Sequence, residues 1–217
     1  MTLITADELK KEFSVWAHFY MSKVEGKEYL MRSEAKIVRN GKEEKQTDAI
    51  IVMVNPGSCS AVDATTKFEE FPYNVTNKEF VEARPDQTQY QLMNLMERMQ
   101  WNCMKIVNIS DLVTGTYGEF KKLLRELEMI GYQRHSIFSK ERIGEFKKLL
   151  EEKPILIYAW GGDRAIKKYT APIEEKFEHT GVKHPNKGYY LHPKPAKYED
   201  RKKWLDELQE ILQGVSK

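Results

Sequence analysis

A chain of 217 residues, 41% hydrophobic and 31% charged, can bury one sizeable core and is short for two independent domains. Its formal net charge of +2 excludes a polybasic nucleic-acid binder and leaves room only for a local basic face. Two cysteines, Cys59 and Cys103, with no CxxC or Cys/His cluster, argue against a disulfide framework, a metal site and redox chemistry.

The first segment, MTLITADELKKEF, has acids where a signal peptide needs an apolar core, and no apolar run approaches membrane length. A cytoplasmic protein with reduced thiols and no membrane contact is the expectation. Thr5-Ala6-Asp7-Glu8 fits a capping box, and Leu9, Phe13, Trp16 and Tyr20 then repeat at helical spacing. EYLMRSEAKIV and DAIIVMV, with Asn40-Gly41 between them, predict two strands of a hairpin. A long irregular stretch follows Pro56 and runs to about Pro85; such loops are more often functional than idle. DQTQYQLMNLMERMQW predicts a helix, CMKIVNIS a strand, and residues 118–130 and 139–152 two further helices that share GEFKKLL. Helices draw on few residue types, so the shared heptad reads as coincidence rather than duplication. PILIYAWGG predicts a third core strand opening into a helix, GYYLHPKP a fourth, and KYEDRKKWLDELQEILQG the closing helix.

Unbroken apolar strands alternating with helices predict an α/β three-layer sandwich. Its centre would be a mostly parallel four-stranded sheet with helices on both faces, preceded by an N-terminal helix and hairpin. One domain would span 1–217, with 1–45 as an extension and 49–198 as the core. Ligands of such sheets lie beyond the carboxyl ends of the strands. Those ends are Asn55-Pro56-Gly57, Asn108-Ile109-Ser110-Asp111, Trp160-Gly161-Gly162 and His192-Pro193-Lys194-Pro195. Two carboxamides suited to reading an amide or nucleobase edge, one imidazole and close-approach glycines would share a rim. No Walker loop, GxGxxG, Gly-x-Ser-x-Gly or paired-His motif occurs, which weighs against NTPase, dinucleotide, serine-hydrolase and zinc-enzyme readings.

VMVNPG resembles the first motif of the uracil-DNA glycosylase superfamily, KIVNIS its base-reading strand, WGGDRAIKK a stretch of its uracil-specific branch, and LHPKPAKY its His-Pro motif. The order of these motifs also resembles an uncharacterised bacterial and phage family with an Asn-Pro-Ser, Asp-Pro-Thr, Val-Asn-Leu and Trp-Gly pattern. The resemblance spans 49–198 and implies a metal- and cofactor-independent enzyme acting on the N-glycosidic bond of a nucleobase in DNA or a nucleotide. It implies that Asn55 positions water, Asn108 reads the base and His192 stabilises the departing base anion. Pro56, Gly57, Gly161 and Gly162 would shape the pocket. An aromatic among Phe68, Phe71 and Tyr73 would stack on the base, and Lys194 and Lys197 would meet phosphates.

Asn55 cannot accept a proton and would orient water by its carbonyl, so Asp63 stands as a candidate base or ligand contact. Lys194 replaces a phosphate-pinching serine, and Ala196-Lys197 replaces the apolar wedge that opens a duplex. These departures point toward single-stranded or modified substrates. Two competing classes are a non-catalytic nucleic-acid or nucleotide-binding module, and a phage-defence or counter-defence interaction protein that uses residues 60–85 as its surface.

Overall fold

The structure, a computed structural model, describes residues 2–42 and 46–215. Helix α1 (Ala6–Glu12) starts on the expected capping box: Thr5 Oγ1 accepts from the Glu8 amide, and Glu8 accepts from the Thr5 amide. The helix ends at Glu12, and the expected continuation through Trp16 and Tyr20 is a strand, β1 (Phe13–Val24). Helical spacing competes here with the alternation Phe13, Val15, Ala17, Phe19. The alternating set enters the core while Trp16 stays partly exposed, so the period of two prevails.

Strand β2 (Lys27–Arg39) pairs antiparallel with β1 along almost its whole length. The two are joined at Glu25-Gly26, where both residues have positive φ, as a two-residue hairpin turn requires. Strand β3 (Ala49–Met53) is the fully buried AIIVM run. The expected hairpin between β2 and β3 does not form, and residues 43–45 of its turn lie outside the described residues. The short strands β4 (Ser60–Ala61), β5 (Glu69–Glu70) and β6 (Val81–Arg84) follow, so the stretch expected to be irregular adds edge strands around β1.

Helix α2 (Gln87–Met99) is capped by Asp86, whose Oδ1 accepts from the amides of Thr88 and Gln89. Strand β7 (Cys103–Asn108), helices α3 (Tyr117–Met129) and α4 (Ile143–Leu149), and strand β8 (Ile155–Tyr158) come next. A 3-10 turn at Arg164–Ile166 leads into α5 (Lys167–Glu174), and α6 (Tyr198–Val215) closes the chain. In α3 and α4 the shared GEFKKLL sends Phe120 and Phe146 into one cluster.

One mixed eight-stranded sheet runs β4-β6-β1-β2-β7-β3-β8, with β5 beside β1. β7, β3 and β8 pair in parallel, as does the two-residue β5 with β1; β7 sits between β2 and β3 and meets β2 antiparallel. The expected mostly parallel four-stranded sheet is thus a three-stranded parallel core extended by a long antiparallel hairpin. The expected fourth strand contributes a single antiparallel bridge, Lys183 to Tyr190, while Thr180 takes the position beside β8. Glycine and two prolines within GYYLHPKP interrupt any longer ladder.

Alternate residues of β3 divide between two cores. Ala49, Ile51 and Met53 pack with α1, α2 and α6; Ile50 and Val52 pack with α3, α4 and α5. The chain therefore leaves β3 for one face and leaves its neighbour β8 for the other, which opens a crevice between their carboxyl ends.

Candidate functional site

Two strand ends, those of β3 and β7, meet around a buried arginine that the sequence motifs did not single out. Arg32, on β2, is 1% exposed. Its Nη1 donates to the Pro56 carbonyl at 3.3 Å and its Nη2 to Asn108 Oδ1 at 2.9 Å. Asn108 is equally buried, so its carboxamide serves as an anchor for Arg32 and presents no open edge. Arg32 Nε and Asn108 Nδ2 have no hydrogen-bond partner among the described residues, and no carboxylate pairs with Arg32 there. Asn55, half-buried, donates from Nδ2 to Thr114 Oγ1 at 3.0 Å. The two asparagines are thereby gathered at one edge, each committed to a protein partner.

His192 behaves differently. It lines a cleft of about 540 Å³ together with Gly161, Gly162, Tyr189, Leu191 and Trp204. Lys183 and Lys203 also line this cleft, with Asp200 and Glu207 opposite in charge. Gly161, at φ 78°, takes a left-handed conformation that favours glycine, and its amide donates to the Tyr190 carbonyl. The Tyr189 ring lies on Gly162 so closely that a Cβ there would stand 2.3 Å from it. His192 Nδ1 accepts from the Lys194 amide at 3.2 Å. Burial lowers the imidazole pKa, and the Asp86 carboxylate opposes the fall. The ring is accordingly neutral at pH 7, with Nδ1 occupied as an acceptor and its proton on Nε2.

Asp86 is the carboxylate that stands at this edge. Its Oδ1 caps α2, and its Oδ2 lies 3.0 Å from where a Cβ on Gly57 would sit. Asp63, the acid favoured by sequence, is exposed and folds its carboxylate onto Thr65 in its own turn. The local signal for Asp86 was present: Asp86 and Gln89 form a capping box.

The aromatics of residues 68–73 turn inward. Phe68 packs on Phe19, and Phe71 packs on Tyr20 and Tyr73. Tyr73 is buried in a polar network, accepting from Arg142 Nη2 at 2.8 Å and donating to Glu145 at 3.1 Å. In the same network Arg142 meets Asp111 at 2.5 Å, and Tyr20 donates to the same Asp111 oxygen. These contacts tie the segment to the sheet; Tyr73 is buried, while Phe68 and Phe71 stay partly buried. Lys194 is half-buried beside His192, and Lys197 is exposed next to α6.

Cys59 and Cys103 are both buried, and neither forms a disulfide. Among the described residues no three His, Cys, Asp or Glu side chains gather to hold a metal ion, and no helix is long and apolar enough to cross a membrane. Comparison of the chain with family models, curated proteins and solved structures returns no match.

Proposed function

We propose that the protein binds a nucleobase-bearing ligand, seating the base in the cleft between Gly161-Gly162 and His192. The cleft itself carries this reading. Its volume of about 540 Å³ lies within the range of small-ligand sites, and it opens at the carboxyl end of a parallel strand beside a crevice of the sheet. Tyr189 offers a ring for stacking, and the neutral His192 offers an Nε2–H donor to a base carbonyl. Asn55 and Asn108, held by Thr114 and Arg32, act as supports that fix the Asn-Pro-Gly turn.

Hydrolysis of the N-glycosidic bond is a second reading, favoured by Asp86. Its Oδ2 is not used by the helix cap and can take the proton of an attacking water, which Asn55 cannot do. Water would add at the sugar carbon as the bond to the base breaks. The base would leave as an anion stabilised by His192 Nε2–H, and the proton on Asp86 would pass to it.

Two measurements test these readings. Calorimetric titration with nucleosides should show binding that weakens at least tenfold in Gly162→Ala, whose new methyl displaces Tyr189 from an otherwise intact fold. Labelled single- and double-stranded DNA carrying uracil, mismatched or modified bases should yield alkali-labile abasic sites that Asp86→Asn abolishes. Absence of abasic product with nucleoside binding retained leaves the binding reading and removes the hydrolytic one. Failure of nucleosides, nucleotides and oligonucleotides alike to bind refutes both.

A further inference from the structure

Four cations with little exposed side chain each meet a carboxylate. Arg142 meets Asp111 at 2.5 Å, Lys78 meets Glu34 at 3.2 Å, Arg98 meets Asp206 at 2.7 Å and Arg39 meets Glu97 at 2.7 Å. Arg32 is as deeply buried as Arg142 and has no carboxylate partner among the described residues. A guanidinium cannot shed its proton to escape burial, so its charge has to be met where it lies. Nη1 and Nη2 of Arg32 are used on the Pro56 carbonyl and Asn108 Oδ1, and Nε is left without an acceptor. Asn108 Nδ2, on the carboxamide that Arg32 holds, is a second buried donor without one. Asp86, the acid that borders the same turn at Gly57, uses Oδ1 on the α2 cap and makes no ion pair with Arg32.

We infer that Arg32 Nε and Asn108 Nδ2 form a buried site for a monovalent anion in the seam between the ends of β3 and β7. The site stands independently of the base cleft. Its charge sets the valence: a lone uncompensated cation is balanced by a single negative charge, whereas a divalent phosphate would leave a buried negative excess. The surroundings favour the same class of ion. Asn108 is paired with Met53 of β3 and Arg32 with Phe19 of β1, so apolar side chains neighbour both donors. Apolar walls do not replace the water lost by a strongly hydrated ion, but two N–H donors and a cation suffice for a weakly hydrated one. Chloride, bromide and the carboxylate of an organic ligand share that chemistry. Both donors are closed to solvent, so the ion enters by local opening of the strand ends.

Thermal unfolding of wild type and Asn108→Asp at pH 7 and constant ionic strength tests the site, with sodium gluconate replaced stepwise by sodium bromide, formate, acetate or phosphate. Asn108→Asp supplies the negative charge covalently and removes the Nδ2 donor, so it has no need of the ion. In wild type each tenfold rise in bromide above its Kd should raise the midpoint by about 3–5 °C. Asn108→Asp should not respond, and its advantage over wild type should shrink as bromide is added. A response of wild type alone to formate or acetate and not to bromide upholds the site and assigns it to the carboxylate of an organic ligand. No response to any monovalent ion, an equal response in both proteins, or a larger response to phosphate than to the monovalent ions overturns the inference. Anomalous scattering from wild-type crystals grown in bromide gives a readout that needs no variant. A peak within hydrogen-bond reach of Arg32 Nε and Asn108 Nδ2 is expected, and bromide bound only elsewhere refutes the site.

Discussion

Replacing Asn108 by aspartate tests whether the strand ends are organised around Arg32. In the wild-type protein Arg32 is a buried guanidinium facing a neutral carboxamide, and Arg32 Nε and Asn108 Nδ2 are both donors without acceptors. Nη2 and Nε share one edge of the guanidinium, and Nη2 already reaches Asn108 Oδ1. A carboxylate of the same shape deletes one orphan donor and supplies an acceptor for the other, giving a bidentate pair. Leaving a buried donor unsatisfied costs about 1–3 kcal/mol, and a hydrogen bond to a charged group contributes about 1.5–3 kcal/mol. Desolvating the new carboxylate opposes both gains by several kcal/mol, less the attraction of the cation already buried there. The net expectation is a stabilisation of about 2 kcal/mol, or a midpoint rise of roughly 4–8 °C for a chain of this size. Asn108→Leu, which strips Arg32 of its side-chain acceptor, should destabilise by about 3–5 kcal/mol. Urea and thermal unfolding at pH 7 measure both. An Asn108→Asp protein no more stable than wild type would show that the donors already have an acceptor, and that Arg32 is not an unbalanced charge.

Two further outcomes follow from the titrating groups. His135 is buried against Ser110 and Tyr169, and burial pushes its pKa from 6.5 down to about 4; Glu128 opposes, while Arg142 and Lys168 add to the fall. A folded pKa below the unfolded one confers stability that is present above pH 6.5 and lost as pH falls toward 4, at about 1.4 kcal/mol per pH unit. Between pH 7 and 5 the wild type should therefore lose about 2 kcal/mol more than His135→Gln in urea unfolding; equal losses would contradict the burial. Asp86→Asn keeps a good helix cap but removes the negative charge near His192, so the imidazole pKa, followed by NMR, should fall further. An unmoved titration curve would place Asp86 out of electrostatic reach of His192.

Local signals located most elements because each rests on residues close in sequence. The capping box at Thr5 and Glu8, the all-apolar AIIVM of β3 and the Leu/Met face of α2 each report a nearby contact or a period. The same signals misjudged β1, where helical and strand spacings coexist over Phe13–Tyr20 and only neighbouring strands choose between them. They also joined β2 to β3, because proximity in sequence suggests a hairpin while β7 intervenes in space.

The site divides in the same way. The motifs alone identified the edge of the sheet where Asn55, Gly57, Asn108 and Gly161 lie, since unbroken apolar strands ending on polar turns have carboxyl ends on one side; His192 comes up to Gly161 from a segment that is not a strand. Which of those groups face a ligand was decided by tertiary contacts. Arg32 reaches Pro56 and Asn108 across 24 and 76 residues of chain and consumes the carboxamide oxygen expected to read a base. Asp86 rather than Asp63 borders Gly57 because the start of α2 packs against that turn. A side chain's chemistry is written in its identity, but its availability depends on what the folded chain sets beside it, and those neighbours are distant in sequence.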